Sequence, residues 1–485
     1  MSSFRNEAIK GMSWSAIEKF ASQAIAFVLG IIMARLLDPS DYGTIGMLAI
    51  FMGIAGTVAD SGFGSALIQK KDKTPEDYST FFLFNLGISI VLYLILFFSA
   101  PWIAEFYHTP ILKDVTRVVT LQLILNALFN AQNIKIRIEL KFKEMSIASL
   151  VSQIFTGAVG VLLAFWGWGV WALVWQALFS CLIRGSLSLY ILRGWTPGIR
   201  FSKDSFHALF GFGSKILVSS LINTIYGNLY TLIIGRKFTP NEVGYYNRGA
   251  QLASFPPTVA TDIIVNVNYP ILSRLQDDNP RLIQAYKKML TLPLFVLYPA
   301  IVGLGVLAEP VVGLLLKEKW LPCVPFLQIM CLGSFFSPLT HINLNLLYVK
   351  GRSDLVLKLE LIKKPIGFAM IFISIQFGIM WLIAGKALYD FIAFSINCHY
   401  TGKILGFGLK EQLKDILPII LKACLMGFVV YLSCIPLSGW WVKLLTGTSV
   451  GVLVYFSLAV LTRDNSLTEI VSILKELFAT HGRGN

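Results

Sequence analysis

Charged and amide side chains lie within stretches of this sequence that are otherwise apolar, where they are costly unless they face a polar interior. The first such stretch carries Lys19 and Gln23, and a later one carries a second polar set. Ammonium and guanidinium groups are suited to bind phosphate, and amide and phenol groups are suited to bind hydroxyls. We therefore predict a substrate-binding cavity formed by Lys19, Gln23, Lys215, Asn223, Asn228, Tyr230 and Arg248.

Carboxylates in the same apolar stretches are candidates for carrying a proton or a cation. Asp60 and Asp262 fall at nearly equivalent places in two similar segments, and we predict an ion-coupling role for both and for Glu18. Two alternatives stay open. Each aspartate could pair with a neighbouring serine or with a basic residue such as Arg184, and the predicted cavity lysines could instead extend to the lipid headgroups as topology anchors.

The sequence contains none of the common motifs for binding a metal ion or a nucleotide. The five histidines include no H-E-x-x-H pair, and there is no Walker or G-x-G-x-x-G loop to hold phosphate. The six cysteines show no C-x-x-C spacing and fall mostly in apolar runs, which is typical of buried thiols. The sequence therefore predicts a protein that is not an enzyme and holds no metal or cofactor, with an ion gradient or the membrane potential as its candidate energy source.

The composition predicts an integral membrane protein. Of the 485 residues, 55% are apolar and 14% are charged, and the mean hydropathy is +0.68. About 20 apolar helical residues are needed to span the hydrocarbon core, and runs of that kind recur along the whole sequence. We predict an all-α membrane protein of about fourteen transmembrane helices, at residues 14–36, 42–67, 78–100, 115–134, 146–166, 169–192, 209–235, 243–269, 289–308, 324–349, 359–377, 380–402, 416–435 and 440–461.

The distribution of basic residues predicts the orientation, because Lys and Arg near helix ends stay in the cytoplasm. Most of the 41 Lys and Arg residues fall in the amino terminus, the even-numbered connections and the tail. The odd-numbered connections hold seven of them, Arg35, Lys113, Arg236, Lys237, Lys317, Lys319 and Lys443. Both termini are therefore predicted to be cytoplasmic. The net charge of +14 is explained by this topology and by contact with membrane lipids, and does not predict nucleic-acid binding.

An internal repeat supports a two-lobed arrangement. The pattern R-x-x-x-P-x-x-x-G occurs at Arg35, Pro39 and Gly43, and again 201 residues later at Arg236, Pro240 and Gly244. Both copies leave a predicted outward-running helix, so the halves would be parallel repeats. We predict an amino-terminal lobe at residues 1–200, a second lobe at 201–405, two extra helices at 406–461 and a cytoplasmic amphipathic tail at 462–485.

The segments ARLLDPSDYGTIGMLAIF, GRKFTPNEVGYYNRGAQLASFPP and NYPILSRLQDD closely resemble the Wzx-type polysaccharide transporters of the MOP exporter superfamily. The resemblance covers nearly all of the chain and is greatest to the branch that exports colanic acid or O-antigen repeat units. It implies two six-helix lobes arranged as a V, an undecaprenyl-diphosphate-linked oligosaccharide as cargo, and a place in the bacterial inner membrane. A polysaccharide polymerase is then a candidate partner.

Other cargoes within the superfamily stay open, namely a peptidoglycan precursor or drugs. A pump for cationic drugs should present acidic residues to its cavity, whereas Lys19, Lys215 and Arg248 favour an anionic cargo. A membrane-bound transferase is disfavoured, because the outer connections are too short to form a catalytic domain.

Overall fold

The computed structural model describes the backbone of residues 2–481 and the side chains of residues 18–258, 272–352, 354–472 and 475. Within this part the chain is almost entirely helical, as the sequence predicts. The elements are α1 (Ser2–Leu36), α2 (Pro39–Asp60), α3 (Phe63–Gln69), α4 (Pro75–Phe106), α5 (Leu112–Val119), α6 (Leu121–Ile138), α7 (Phe142–Phe165), α8 (Val170–Ile191), α9 (Lys203–Lys237), α10 (Pro240–Arg274), α11 (Asn279–Val306), α12 (Ala308–Leu316), the 3₁₀ turn η1 (Glu318–Cys323), α13 (Val324–Ser334), α14 (Ser337–Val349), α15 (Ser353–Ser374), the 3₁₀ turn η2 (Ile375–Phe377), α16 (Ile379–Leu405), α17 (Leu409–Cys434), α18 (Trp440–Leu461) and α19 (Asn465–His481).

Membrane-spanning character is strong in most of these helices. Over the described residues, eleven helical segments are long and apolar enough to cross a bilayer. Each predicted span coincides with one helix or with two consecutive ones, but α6, α10 and α15 are not among the eleven. In α15 the reason is visible, since Lys358, Glu360, Lys363 and Lys364 interrupt its apolar run. The total of fourteen spans stays a prediction.

The two copies of the repeated motif form the same kind of helix start. Pro39 and Pro240 each occupy the first helical position, where a residue without an N–H is tolerated. Two positions further on, the Asp41 carboxylate accepts the backbone N–H of the residue before the proline at 3.0 Å. Glu242 makes the same bond at 2.8 Å. The motif therefore encodes a proline-initiated helix capped by its own acidic residue.

Residues 1–247 form the first of two compact units. In it α1 packs on α7, α8 packs on both α6 and α7, and α2 packs on α9. A buried cluster brings together side chains of α3, α4, α6 and α9, including Phe63, Leu67, Phe81, Ile134 and Leu209. These contacts fix the relative positions of the helices that carry the polar residues discussed below.

Residues 248–485 form the second unit. Its main helix pairs are α11 with α17, α17 with α18, and α13 and α15 with α16. A fully buried amide pair ties α14 to α17, with Asn343 Nδ2 donating to Gln412 Oε1 and Gln412 Nε2 donating to Asn343 Oδ1, both at 3.0 Å. The Lys288–Glu469 ion pair holds α19 against α11. The predicted domain boundaries after residues 200, 405 and 461 stay a prediction.

Candidate functional site

A polar pocket of about 520 Å³ lies inside the first unit. Six helices surround it, namely α1, α2, α3, α6, α7 and α8. Polar and charged residues make up much of its lining, in a unit whose helices are otherwise apolar. They are Glu18, Asp60, Ser65, Asn130, Asn133, Arg137, Ser149, Arg184 and Ser188.

A break between α2 and α3 places Asp60 at the pocket. The helix ends there because Ser61 and Gly62 both adopt left-handed backbone conformations, with φ of 47° and 67°. Gly62 is required for a second reason, since a Cβ at this position would lie 2.5 Å from the carbonyl oxygen of Gly213. The Asp60 carboxylate lies near the Gly62 N–H, the Asn130 side chain and the Arg137 guanidinium.

Helices α6 and α8 supply the opposite wall. The Ser188 hydroxyl lies 2.7 Å from Asn133 Oδ1 and 2.9 Å from the Arg184 carbonyl oxygen. The helices approach closely at Gly185, where a Cβ would lie 2.0 Å from the Phe129 ring. This close packing fixes where the neighbouring Arg184 enters the pocket.

The pocket contains two carboxylates and two guanidinium groups, so its formal charge is balanced. Asp60, Arg137 and Arg184 are exposed to the pocket space, and Glu18 is half-buried. A guanidinium presents several N–H donors in a fork that matches phosphate or carboxylate oxygens. The arrangement can bind an anionic, hydroxyl-rich group, with amides and hydroxyls contacting its neutral part. Within the described residues, no group of three His, Cys, Asp or Glu side chains is placed to hold a metal ion.

Asp60 also lines a second, smaller cavity of about 390 Å³ between α2 and α9. The α2 and α9 sides are joined by the hydroxyls of Thr57 and Thr224, whose oxygens are 3.0 Å apart. The Asn228 side chain donates to the Thr224 carbonyl oxygen at 2.9 Å. Asp60 therefore lies where the polar pocket and the α2–α9 cavity meet.

Two of the predicted ion-coupling residues line the polar pocket, and none of the predicted substrate-binding residues lines it or the α2–α9 cavity. Glu18 and Asp60 line the same pocket. The side chain of Asp262 lies outside the described residues. Of the predicted binding residues on α1 and α9, the exposed ones Lys19, Gln23, Lys215 and Asn223 are not part of the lining of either cavity, and Tyr230 is buried.

Arg248 belongs to the second unit and is packed rather than open to a cavity. It is 7% exposed, its guanidinium lies 5.2 Å from the ring centre of Trp320, and its Nη1 donates to Gln251 Oε1 at 2.7 Å. The cation–π contact with the indole and the bond to the Gln251 amide hold its charge in place.

Arg137 is the functional candidate that the sequence prediction missed. The predicted helix ends at residue 134, which places Arg137 in a basic cytoplasmic connection. In the structure α6 continues to Ile138. Asn130, Asn133 and Arg137 then lie at positions i, i+3 and i+7, on one helix face. Extending the Asn pattern by one turn would have identified it.

Comparison with known proteins places the chain in a family. A family model described as polysaccharide biosynthesis protein matches residues 32–325. Lipopolysaccharide biosynthesis protein WzxC of Escherichia coli K12 is 26% identical over 440 residues, covering 88% of this chain and 89% of the relative. Succinoglycan biosynthesis transport protein ExoT of Rhizobium meliloti is 24% identical over 478 residues, covering 96% and 95%.

Solved structures agree on the fold. The lipid II flippase MurJ in an inward closed conformation matches with a TM-score of 0.75 at 15% identity, covering 93% of this chain and 99% of that one. A multidrug MATE transporter of the MOP superfamily, in an inward-facing conformation, matches with a TM-score of 0.59 at 15% identity, covering 79% and 94%. The family match extends over more than half of the residues, and the chain thus belongs to the polysaccharide biosynthesis protein family, the Wzx-type membrane transporters that its sequence resembles.

Proposed function

We propose that the protein is a flippase that moves an undecaprenyl-diphosphate-linked oligosaccharide repeat unit from the cytoplasmic to the periplasmic leaflet of the bacterial inner membrane by alternating access. Its product would be a surface polysaccharide of the colanic acid or O-antigen type. The observation that carries the proposal is the pair of guanidinium groups, Arg137 and Arg184, in a polar pocket among membrane-spanning helices.

The chemistry of that pocket matches such a cargo. A diphosphate or an acidic sugar that leaves water needs cationic hydrogen-bond donors, which Arg137 and Arg184 supply. Sugar hydroxyls need amide and hydroxyl partners, which Asn130, Asn133 and Ser188 supply. The carboxylates balance the charge when the pocket holds no cargo. A multidrug pump for cations would be expected to carry an excess of carboxylates at the equivalent place.

The names of the relatives support the cargo class. WzxC and ExoT are named for the biosynthesis of lipopolysaccharide and succinoglycan, and ExoT is named as a transport protein. Lys19 and Lys215 keep their proposed role of capturing the diphosphate at the cytoplasmic side, where exposed ammonium groups can reach it. Arg248 would act near the opposite end, from its fixed position on Trp320.

Energy would come from an ion gradient or the membrane potential, because the sequence offers no site for nucleotide hydrolysis. Asp60 is the proposed coupling group, since it lines both the polar pocket and the α2–α9 cavity. Glu18 faces the same pocket, and Asp262 is proposed as the counterpart in the second repeat. A carboxylate that reaches two cavities can exchange a proton or cation between them.

Deleting the gene in its host tests the proposal. Surface polysaccharide should be lost, and lipid-linked repeat units should accumulate with their sugars on the cytoplasmic face. A plasmid copy should restore the polymer, and sugar analysis of the accumulated lipid should identify the cargo. Normal polymer with altered drug tolerance would instead favour multidrug transport, and accumulation of the peptidoglycan precursor would favour that cargo.

A further inference from the structure

The two copies of the repeated motif contact each other. A Cβ on Gly43 would lie 1.7 Å from the carbonyl oxygen of Pro240, and a Cβ on Gly244 would lie 2.0 Å from the carbonyl oxygen of Pro39. All four residues belong to the first unit. The first turns of α2 and α10 therefore approach so closely that not even a methyl group fits between them.

The contact is reciprocal, and this determines its position relative to the symmetry axis of the repeat. In an isologous contact, position i of one copy touches position j of the other, and position j touches position i in return. Here the glycine of each copy touches the proline of the other. A pseudo-two-fold axis relating the two copies must then pass between the first turns of α2 and α10. Their backbones leave no space along the axis at this point.

The close contact continues for another turn of helix. A Cβ on Gly46 would lie 2.1 Å from Asn247 Nδ2 and 3.2 Å from Val243 Cγ1. The capping carboxylates are Asp41 in α2 and Glu242 in α10, and each bonds to a backbone N–H of its own copy of the motif. The two helix starts can therefore separate as intact bodies, with these capping bonds in place.

We propose that Pro39, Gly43, Pro240 and Gly244 form a seal, here called the Pro-Gly clasp, that closes the axis at the predicted outer end and parts in every transport cycle. The proposal rests on the proposed function, because a seal that opens requires a cargo that passes. Glycine is required at both positions because the facing atom is a backbone carbonyl, which cannot rotate away as a side chain can. The contact thus accounts for the glycine and the proline that recur in both copies.

Glycine-to-alanine substitutions test the closed contact. Gly43→Ala and Gly244→Ala each introduce a methyl group that overlaps a carbonyl oxygen of the other copy, so the clasp cannot close. We expect transport to fall at least about tenfold, which corresponds to roughly 1.4 kcal/mol lost from the closed state. The matched control is Gly87→Ala on α4, where a Cβ meets nothing within 4 Å. It should transport normally, and equal transport by all three variants would overturn the clasp.

A reversible disulfide tests whether the clasp must open. The Cβ position of Gly46 lies 3.4 Å from Asn247 Cγ, the atom whose place the sulfur of a cysteine would take, so two cysteines at these positions are within reach of a disulfide. The pair Gly46→Cys and Asn247→Cys should cross-link on oxidation, stop polysaccharide export, and recover on reduction. The two single variants report any cross-link to the native cysteines.

The control pair is Gly160→Cys with Gln176→Cys, which joins α7 to α8 at a comparable distance of 3.2 Å from Cβ to Cγ. It should cross-link without stopping export. Failure of the clasp pair to cross-link would contradict the contact, and continued export by the cross-linked protein would contradict its opening. If the deletion strain keeps normal export, the proposed function is wrong, whereas the cross-linking yield still tests the contact.

Discussion

Replacement of Arg137 by glutamine tests the role of the polar pocket. The Arg137 side chain is exposed to the pocket, where its charge attracts Asp60. Ion pairs with solvent access contribute about 0 to 1 kcal/mol to stability, so Arg137→Gln should fold normally. A charge-assisted hydrogen bond to a phosphate contributes about 1.5 to 3 kcal/mol. Its loss corresponds to a decrease in transport of roughly 10- to 150-fold.

The double variant Asp60→Asn with Arg137→Gln separates cargo binding from charge balance. If Arg137 served merely to neutralise Asp60, removal of both charges would restore cargo binding. Because we assign Arg137 to the cargo and Asp60 to ion coupling, we expect the double variant to bind cargo no better than Arg137→Gln. The control is Arg200→Gln, which removes an exposed arginine outside the pocket lining.

The assay is restoration of surface polysaccharide to a deletion strain, at matched amounts of protein in the membrane. Thermal unfolding of the purified variants in detergent should confirm that their midpoints stay close to that of the unmodified protein. Transport by Arg137→Gln within twofold of the unmodified protein would refute the assignment, and so would full recovery of cargo binding in the double variant.

Two further substitutions test the packing that positions the site. Gly185→Ala should destabilise the protein by about 1 to 3 kcal/mol, because its methyl group overlaps the Phe129 ring; a thermal midpoint equal to that of Gly87→Ala would contradict this. Asn343→Ala should cost about 1 to 3 kcal/mol by leaving the buried Gln412 amide without one of its partners, and it should leave cargo affinity unchanged, since its side-chain partners Gln412 and Thr401 are not among the proposed cargo-binding residues.

Hydropathy and charge predicted the membrane-spanning elements wherever the apolar run was long and uninterrupted, as in α4 and α17. Hydropathy was less informative where polar residues interrupt the apolar run, as in α10 and α15. A helix that is shielded by neighbouring helices tolerates charges that a lipid-facing helix does not. Single-sequence patterns carry no information about those neighbours.

The site was predicted in part for related reasons. Asp60 and Glu18 stood out because carboxylates are rare in apolar stretches. Arg137 did not stand out, since the predicted helix ends four residues before the observed end at Ile138 and so leaves Arg137 in a loop. The left-handed conformation of Ser61 has no sequence signature, since residues with a Cβ rarely adopt it. The repeated motif was visible, but its reciprocal contact required the tertiary structure.

The most direct test of the central claim is a flipping assay with the purified protein in liposomes that contain a polyprenyl-diphosphate-linked oligosaccharide. An enzyme or oxidant that cannot cross the membrane would report how fast the sugar moves between leaflets. We predict that the protein accelerates this movement over protein-free liposomes and that Arg137→Gln largely abolishes the acceleration. Movement no faster than in protein-free liposomes would contradict the account.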